Sequence, residues 1–150
     1  MTVQIRIAKP GNASAVAELV QRAYDHYVPR IGARPRPMDA DYPALIAAGQ
    51  VWLAVDPDLV GVIVLDHQAD HLQIDNVAVA PERQGSGVGT ALLDFAEDRA
   101  RALGVAELRL FTHALMTENQ AFYARRGYVQ TGRTVDDGFD RVFFAKPLVD

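Results

Sequence analysis

The 150-residue chain contains no cysteine. That absence excludes disulfides, thiolate metal sites and a thiol nucleophile, and it agrees with a cytoplasmic location. No apolar run approaches the roughly 18 residues of a spanning helix, so no membrane association is expected. Positive charge is not in excess either, since 15 lysines and arginines face 19 aspartates and glutamates for a net charge of −4. Nucleic-acid binding leans on a clustered basic face, and no nucleic-acid partner is expected. His26, His67 and His71 lack partners at ligand spacing and read as surface residues, so no metal is expected. Internal repeats and low-complexity segments are missing too, and residues 1–7 alternate polar and apolar in the manner of a strand, not of a signal peptide.

What is present fits one domain, residues 1–150, large enough to bury roughly two-thirds of its unfolded surface. Residues 3–8 read as a strand, and Asn12 is placed to cap a helix that turns Val16, Leu19, Val20 and Ala23 inward. A loop is expected over residues 29–37, followed by a short helix capped by Asp39 or Asp41 and stopped at Gly49. Residues 51–55 and 60–65 form a hairpin pattern across Asp56-Pro57-Asp58, with further strands over 72–80 and 107–112. Thr117 and Gln120 have the form of a capping box for a short helix ending at Gly127. Residues 128–134 and 141–146 are joined through the turn signal Asp136-Asp137-Gly138. The order βααβββαβαββ implies an α/β (α+β) fold, a mixed central sheet of about seven strands with helices on both faces. The terminal strands offer edges through which two copies could pair as a homodimer.

Between the fourth strand and the next helix lies Gln84-Gly85-Ser86-Gly87-Val88-Gly89-Thr90. Three alternate glycines let the backbone approach a ligand, and the amides freed at a helix start suit phosphate oxygens. Pro81 and Glu82-Arg83 end the strand, while Val88, Ala91, Leu92, Phe95, Ala96, Ala100 and Leu103 recur at helical spacing up to Gly104. No lysine follows the glycines, so this is not a Walker loop, and the spacing departs from the dinucleotide fingerprint. Gln-x-x-Gly-x-Gly, met by Gln84, Gly87 and Gly89, resembles the acetyl-CoA-binding motif of the GNAT family of N-acetyltransferases. The segment around Asn119, Tyr123 and the pair Gly127-Tyr128 resembles the family's other signature, and the element order is that of the GNAT acyl-CoA N-acyltransferase fold.

The resemblance implies transfer of an acetyl group from acetyl-CoA, as cosubstrate, to a primary amine on a small molecule or peptide by direct attack in a ternary complex. It assigns cofactor contacts to Val77, Ala78, Val79, Gln84, Gly85, Ser86, Gly87, Val88, Gly89, Thr90 and Asn119, and the role of general acid toward the leaving thiolate to Tyr123. Residues 77–79 would act through backbone amides on the thioester oxygen, with a β-bulge there to splay the strand. Relatives that use a carboxylate base on this strand place it eleven residues before the Gln, where this chain has Gln73. Asp75, on the face of Gln73 by the two-residue period, and His113 at the end of the next strand are the alternative bases. Arg30, Arg34 and Arg36 in the 29–37 loop could meet an acidic acceptor or the phosphates of CoA. The competing reading is a non-catalytic acyl-CoA-binding or sensing module, motivated by Gln73.

Overall fold

The computed structural model describes residues 3–148. Its strands are β1 (Gln4–Ile7), β2 (Val51–Val55), β3 (Leu59–His67), β4 (His71–Val79), β5 (Glu107–His113), β6 (Val129–Asp136) and β7 (Phe139–Pro147). They form one sheet in the order β1-β2-β3-β4-β5-β7-β6. Every neighbouring pair is antiparallel except β4 and β5. A parallel step needs a crossover, and helix α4 (Val88–Leu103) supplies it. Helices α1 (Ala13–Tyr24), α2 (Tyr27–Ile31) and α3 (Tyr42–Ala47) cover one face, while α4 and α5 (Thr117–Arg125) cover the other.

The buried faces follow the periodicities of the sequence. Val16, Leu19, Val20 and Ala23 are buried along α1, and β3 sends Ile63 and Leu65 to the α4 side but Val62 and Val64 to the α1 side. On α4 the buried apolar stripe is Val88, Leu92, Leu93, Ala96 and Ala100, so Leu93 joins the expected set while Ala91, Phe95 and Leu103 are only half-buried. Gly61 on β3 lets α4 settle close, because a Cβ there would lie 2.8 Å from Val88 Cγ1 and 3.0 Å from Leu92 Cδ1.

Three local expectations are corrected. Asn12 belongs to a 3-10 turn (Pro10–Asn12), where its Oδ1 accepts from the Lys9 amide at 2.8 Å, so its side chain does not cap α1. Thr117 and Gln120 form no capping box: the Thr117 hydroxyl donates to Glu118, and the Gln120 amide donates to the Ala114 carbonyl at 2.8 Å. The 29–37 loop is partly helical, since α2 runs through Pro29 and a 3-10 turn (Arg36–Asp39) follows. Proline is tolerated in the first turn of a helix, and Gly32 at φ 80 ends this one. Asp41 is the cap of α3, accepting from the Ala44 amide at 3.1 Å. The turn between β6 and β7 is the two-residue Asp137-Gly138, with φ 51 and 79, the left-handed pair of a type I′ hairpin.

The decisive irregularity is in β4. Against β3, Val64 pairs with Asn76 but Leu65 pairs with Ile74, so Asp75 is an extra residue and the bulge sits there rather than over 77–79. Its effect is to exchange the faces of the strand. Leu72 and Ile74 belong to the core under α4, whereas Ala78 and Ala80, of the same parity, belong to the core under α1. The two-residue period therefore does not run through Asp75, and Asp75 does not share a face with Gln73 in the simple sense expected. Beyond the bulge β4 leaves β5, since their pairing covers only 71–74 against 107–110. Both strands continue, β4 held by β3 and β5 held by β7, and a wedge opens between them.

Candidate active site

Two cavities meet at that wedge. The first, about 650 Å³, is lined by residues 77–79 of β4, by Gln84, Gly85, Gly87, Gly89 and Thr90 of the glycine turn, and by Asn119, Phe122 and Tyr123 of α5. Gly85 and Gly87 adopt φ 78 and 95, conformations that side chains resist. Gly87 ends in a left-handed state at the start of α4 with no side-chain cap, so the first amides of that helix have no intrahelical acceptor and meet the cleft. Gly89 faces the Phe122 ring, which would lie 3.3 Å from a Cβ placed there. Val88 instead anchors the turn, being fully buried under the sheet. The Ser86 hydroxyl donates to the Arg83 carbonyl and stabilises the turn internally. The Gln84 side chain donates to the Val79 carbonyl at 3.3 Å, tying the turn to the end of β4.

The Ala80 amide donates to the Val60 carbonyl of β3 at 2.9 Å. Strand amides alternate in direction, so those of Val77 and Val79 point away from β3 into the wedge, and that of Ala78 points back. The Tyr24 hydroxyl agrees with this, because it donates to the Val77 carbonyl at 3.2 Å from the open side.

The second cavity, about 290 Å³, lies on the other side of the wedge under the α2–α3 segment and the β6–β7 hairpin. Its ionisable wall consists of Asp75, His113, Arg36 and Arg141 together with tyrosines, and Phe111 and Phe139 supply apolar surface. Tyr24, Val77, Asn119 and Tyr123 line both cavities and mark where they join. Tyr123 is 7% exposed, and among the described residues no side chain bonds its hydroxyl. Burial, and next the neighbouring Tyr27, push that phenol up, so it holds its proton at neutral pH.

The two bases read from the sequence have different surroundings. Asp75 is an exposed residue of the cavity wall whose carboxyl is pushed up to about 6, first by partial burial and then by Asp66. His113 accepts the Leu115 amide on Nδ1 at 3.0 Å, so its neutral ring carries the proton on Nε2 and offers no spare lone pair. Partial burial pushes its pKa down, with Asp140 opposing and Arg141 reinforcing. Gln73 lines neither cavity.

Several participants were not legible in the sequence. Asn76, 6% exposed, accepts from the Tyr24 hydroxyl at 2.6 Å and donates to the Tyr42 hydroxyl at 3.2 Å, and Tyr42 donates to the Pro37 carbonyl at 2.5 Å. This buried chain pins the bulged strand to α1 and α3. Only the alternation break at Asp75-Asn76 signals it. The three arginines of the 29–37 segment each have a carboxylate: Arg30 with Glu118 at 2.7 Å, Arg34 with Asp39, and Arg36 with Asp137. Arg30, followed by Thr117 and Tyr27, holds the Glu118 carboxyl down to about 2.

The acetyltransferase (GNAT) family model matches residues 14–128. The chain belongs to this acetyltransferase family. Among GNAT relatives, it is 31% identical over 90 residues to an IAA acetyltransferase of Azospirillum brasilense, covering 59% of each chain. It is 29% identical over 125 residues to an aminoalkylphosphonate N-acetyltransferase of Salmonella typhimurium, covering 77% of this chain and 75% of the other. Three of the curated relatives are spanned over only 59%, 44% and 12% of their own lengths. The GNAT architecture is matched by the PaiA N-acetyltransferase of Thermoplasma acidophilum solved with coenzyme A, at TM-score 0.83 and 20% identity over 99% of this chain and 100% of the other. Among the described residues of this GNAT domain, no helix is long and apolar enough to cross a membrane.

Proposed function

We propose that the chain binds acetyl-CoA in the larger cleft and transfers the acetyl group to a primary amine seated in the smaller cavity, by direct attack within a ternary complex. The observation that carries this reading is the meeting of the two cavities at Val77, Asn119 and Tyr123, with the glycine turn at the far end of one of them. Free amides at the turn suit the pyrophosphate of CoA, and the wedge between β4 and β5 suits its pantetheine arm. The wedge-facing amides of Val77 and Val79 would receive the thioester oxygen as it becomes an oxyanion.

Chemistry then needs one proton removed and one supplied. The amine nitrogen attacks the carbonyl carbon, the C–S bond breaks, the amine proton passes to a base and the thiolate takes a proton from Tyr123. Asp75 is favoured over His113 as that base, because the histidine's lone pair is engaged by Leu115. A carboxyl near 6 is ionised at neutral pH and more basic than an ordinary aspartate. Burial raises the phenol, so it stays protonated until a thiolate forms beside it to take the proton.

Two measurements test this. Acetyl-CoA at a hundred times its dissociation constant should add about 2.7 kcal/mol of stability, several degrees in thermal unfolding, with ATP and NAD giving none. CoA release on adding amines can be followed with a thiol-reactive dye, since the protein has no cysteine of its own. A shift without release from any amine would favour the acyl-CoA sensing module instead.

A further inference from the structure

The wall of the smaller cavity is electrically divided along its length. At the end nearest the shared residues stands one carboxylate, Asp75, and at the hairpin end stand two guanidiniums, Arg36 and Arg141. Both cations gather around one ring: the guanidinium carbons of Arg36 and Arg141 each lie 5.8 Å from the centre of Phe139, and that of Arg141 lies 5.1 Å from the centre of Phe111. Arg141 is 9% exposed, which is unusual for a cation without full compensation. Each cation is braced from behind by an exposed aspartate of the hairpin, Arg36 by Asp137 and Arg141 by Asp136, the latter, among the described residues, through Nη1 alone at 2.6 Å. None of Asp136, Asp137 or Asp140 lines the cavity, and Asp140 is taken by Arg133 through two bonds of 2.9 and 2.6 Å. The aspartates fix the guanidiniums in place while the remaining N–H donors of Arg141 are left for something inside.

The spacing of the two ends follows from the sheet. Ile74, next to Asp75, pairs with Leu110 on β5, whereas Arg141 pairs with His113, three residues farther along. At about 3.3 Å per residue along the strand, and about 4.8 Å for each of the two steps from β4 across β5 to β7, the backbones of the two charged ends are roughly 14 Å apart. Long arginine side chains shorten that gap to a few bonds of a ligand.

From this arrangement we infer that the acceptor is an ω-amino acid in the chemical sense: a primary amine joined by a short chain to a carboxylate or comparable oxyanion, the amine at Asp75 and the oxyanion on Arg141 and Arg36. A guanidinium fork matches an oxyanion through paired N–H donors, and two like charges around one ring are relieved by it. The inference rests on the transferase reading and names its substrate class.

The test measures CoA release from acetyl-CoA with matched pairs: β-alanine, 4-aminobutyrate, 5-aminovalerate and 6-aminohexanoate against the n-alkylamines of equal carbon number, and 3-aminopropylphosphonate beside 4-aminobutyrate. At least one anionic member should exceed its uncharged partner at least tenfold in kcat/KM. Arg141→Lys should collapse that ratio toward one by raising KM for the anionic amine. Because Arg141 is buried, Arg36→Ala is the second variant, with its folding checked by thermal unfolding, and it should reduce the ratio in the same direction. Equal kcat/KM for both members of every pair overturns the oxyanion site and leaves the transferase reading standing. A fall of equal size for both members in Arg141→Lys and Arg36→Ala also overturns it. No release from any amine, with the acetyl-CoA thermal shift intact, overturns both.

Discussion

The larger cleft and the smaller cavity lie side by side but are made in opposite ways. At its glycine end the larger cleft is built from nearly contiguous backbone, residues 77–79, the 84–90 turn and the start of α4, where side chains matter mostly by being absent, while Tyr24, Tyr27 and Phe122 of α1, α2 and α5 close the rest. The smaller cavity is assembled from side chains that arrive from α1, the α2–α3 segment, the bulge of β4, the end of β5, α5 and the β6–β7 hairpin. Backbone sites are local and tolerate few substitutions, whereas side-chain sites are long-range and can change one residue at a time. Substitutions should therefore fail abruptly at the glycine turn and change preference in the smaller cavity.

The largest effect is expected from Gly87→Arg. At φ 95 any side chain is strained by about 1–2 kcal/mol, and an arginine here would also fill the cleft that Gly87 lines, so the acetyl-CoA thermal shift and amine-dependent CoA release should both vanish. Survival of the shift would break the claim that the cleft is read through backbone. Next comes Tyr123→Phe, which should lower kcat about 10²- to 10³-fold with little change in the acetyl-CoA shift. Unchanged turnover would remove Tyr123 as the proton donor while leaving the cleft intact.

Asp75→Asn is the corresponding probe of the smaller cavity. Wild-type kcat/KM should rise with pH through about 6 as the carboxyl ionises, and the variant should lose both that limb and at least about tenfold of its activity at pH 7. The stability effect has the opposite sense. A carboxyl raised from 3.8 to about 6 on folding favours the native state below 3.8, and that benefit is lost as pH climbs through 6. At pH 7 the Asn variant should thus be slightly more stable, by less than about 1 kcal/mol because the residue is exposed to screening solvent.

Smaller again are two changes that test structure alone. Gly61→Ala drives a Cβ into Val88 and Leu92 and should cost about 1–3 kcal/mol in chemical denaturation, with the glycine turn displaced as a consequence. Arg34→Ala removes an exposed pair with Asp39 that lines neither cavity, and should move stability by under about 0.5 kcal/mol and activity not at all.

Much of this molecule could be read without coordinates. Alternation and helical spacing identify every strand of the sheet and the α1, α3 and α4 helices, because hydrophobic burial imposes a period on the residues that satisfy it. The glycine turn and the Asn119–Tyr123 segment mark the larger cleft, since a turn built from backbone leaves its requirement in consecutive positions. What periodicity missed, it missed for a reason. Asn12, Thr117 and Gln120 carry capping chemistry that neighbouring turns claimed for themselves, and α2 was hidden by a proline that sits harmlessly in its first turn.

Only the tertiary structure decided where the bulge falls, and with it the make-up of the smaller cavity. One extra residue at Asp75 turns Asn76 toward Tyr24 and Tyr42, opens the wedge, and aims the amides of Val77 and Val79 into it. Likewise, that Arg36 meets Asp137, 101 residues away, and that Arg141 of one strand lies over Phe111 of its neighbour depends on distant segments being brought together by the sheet. Sequence determines local conformation through sterics and periodic burial, which act over a few residues. Which distant charges share a cavity is settled by strand order and register, and those exist only once the chain has folded.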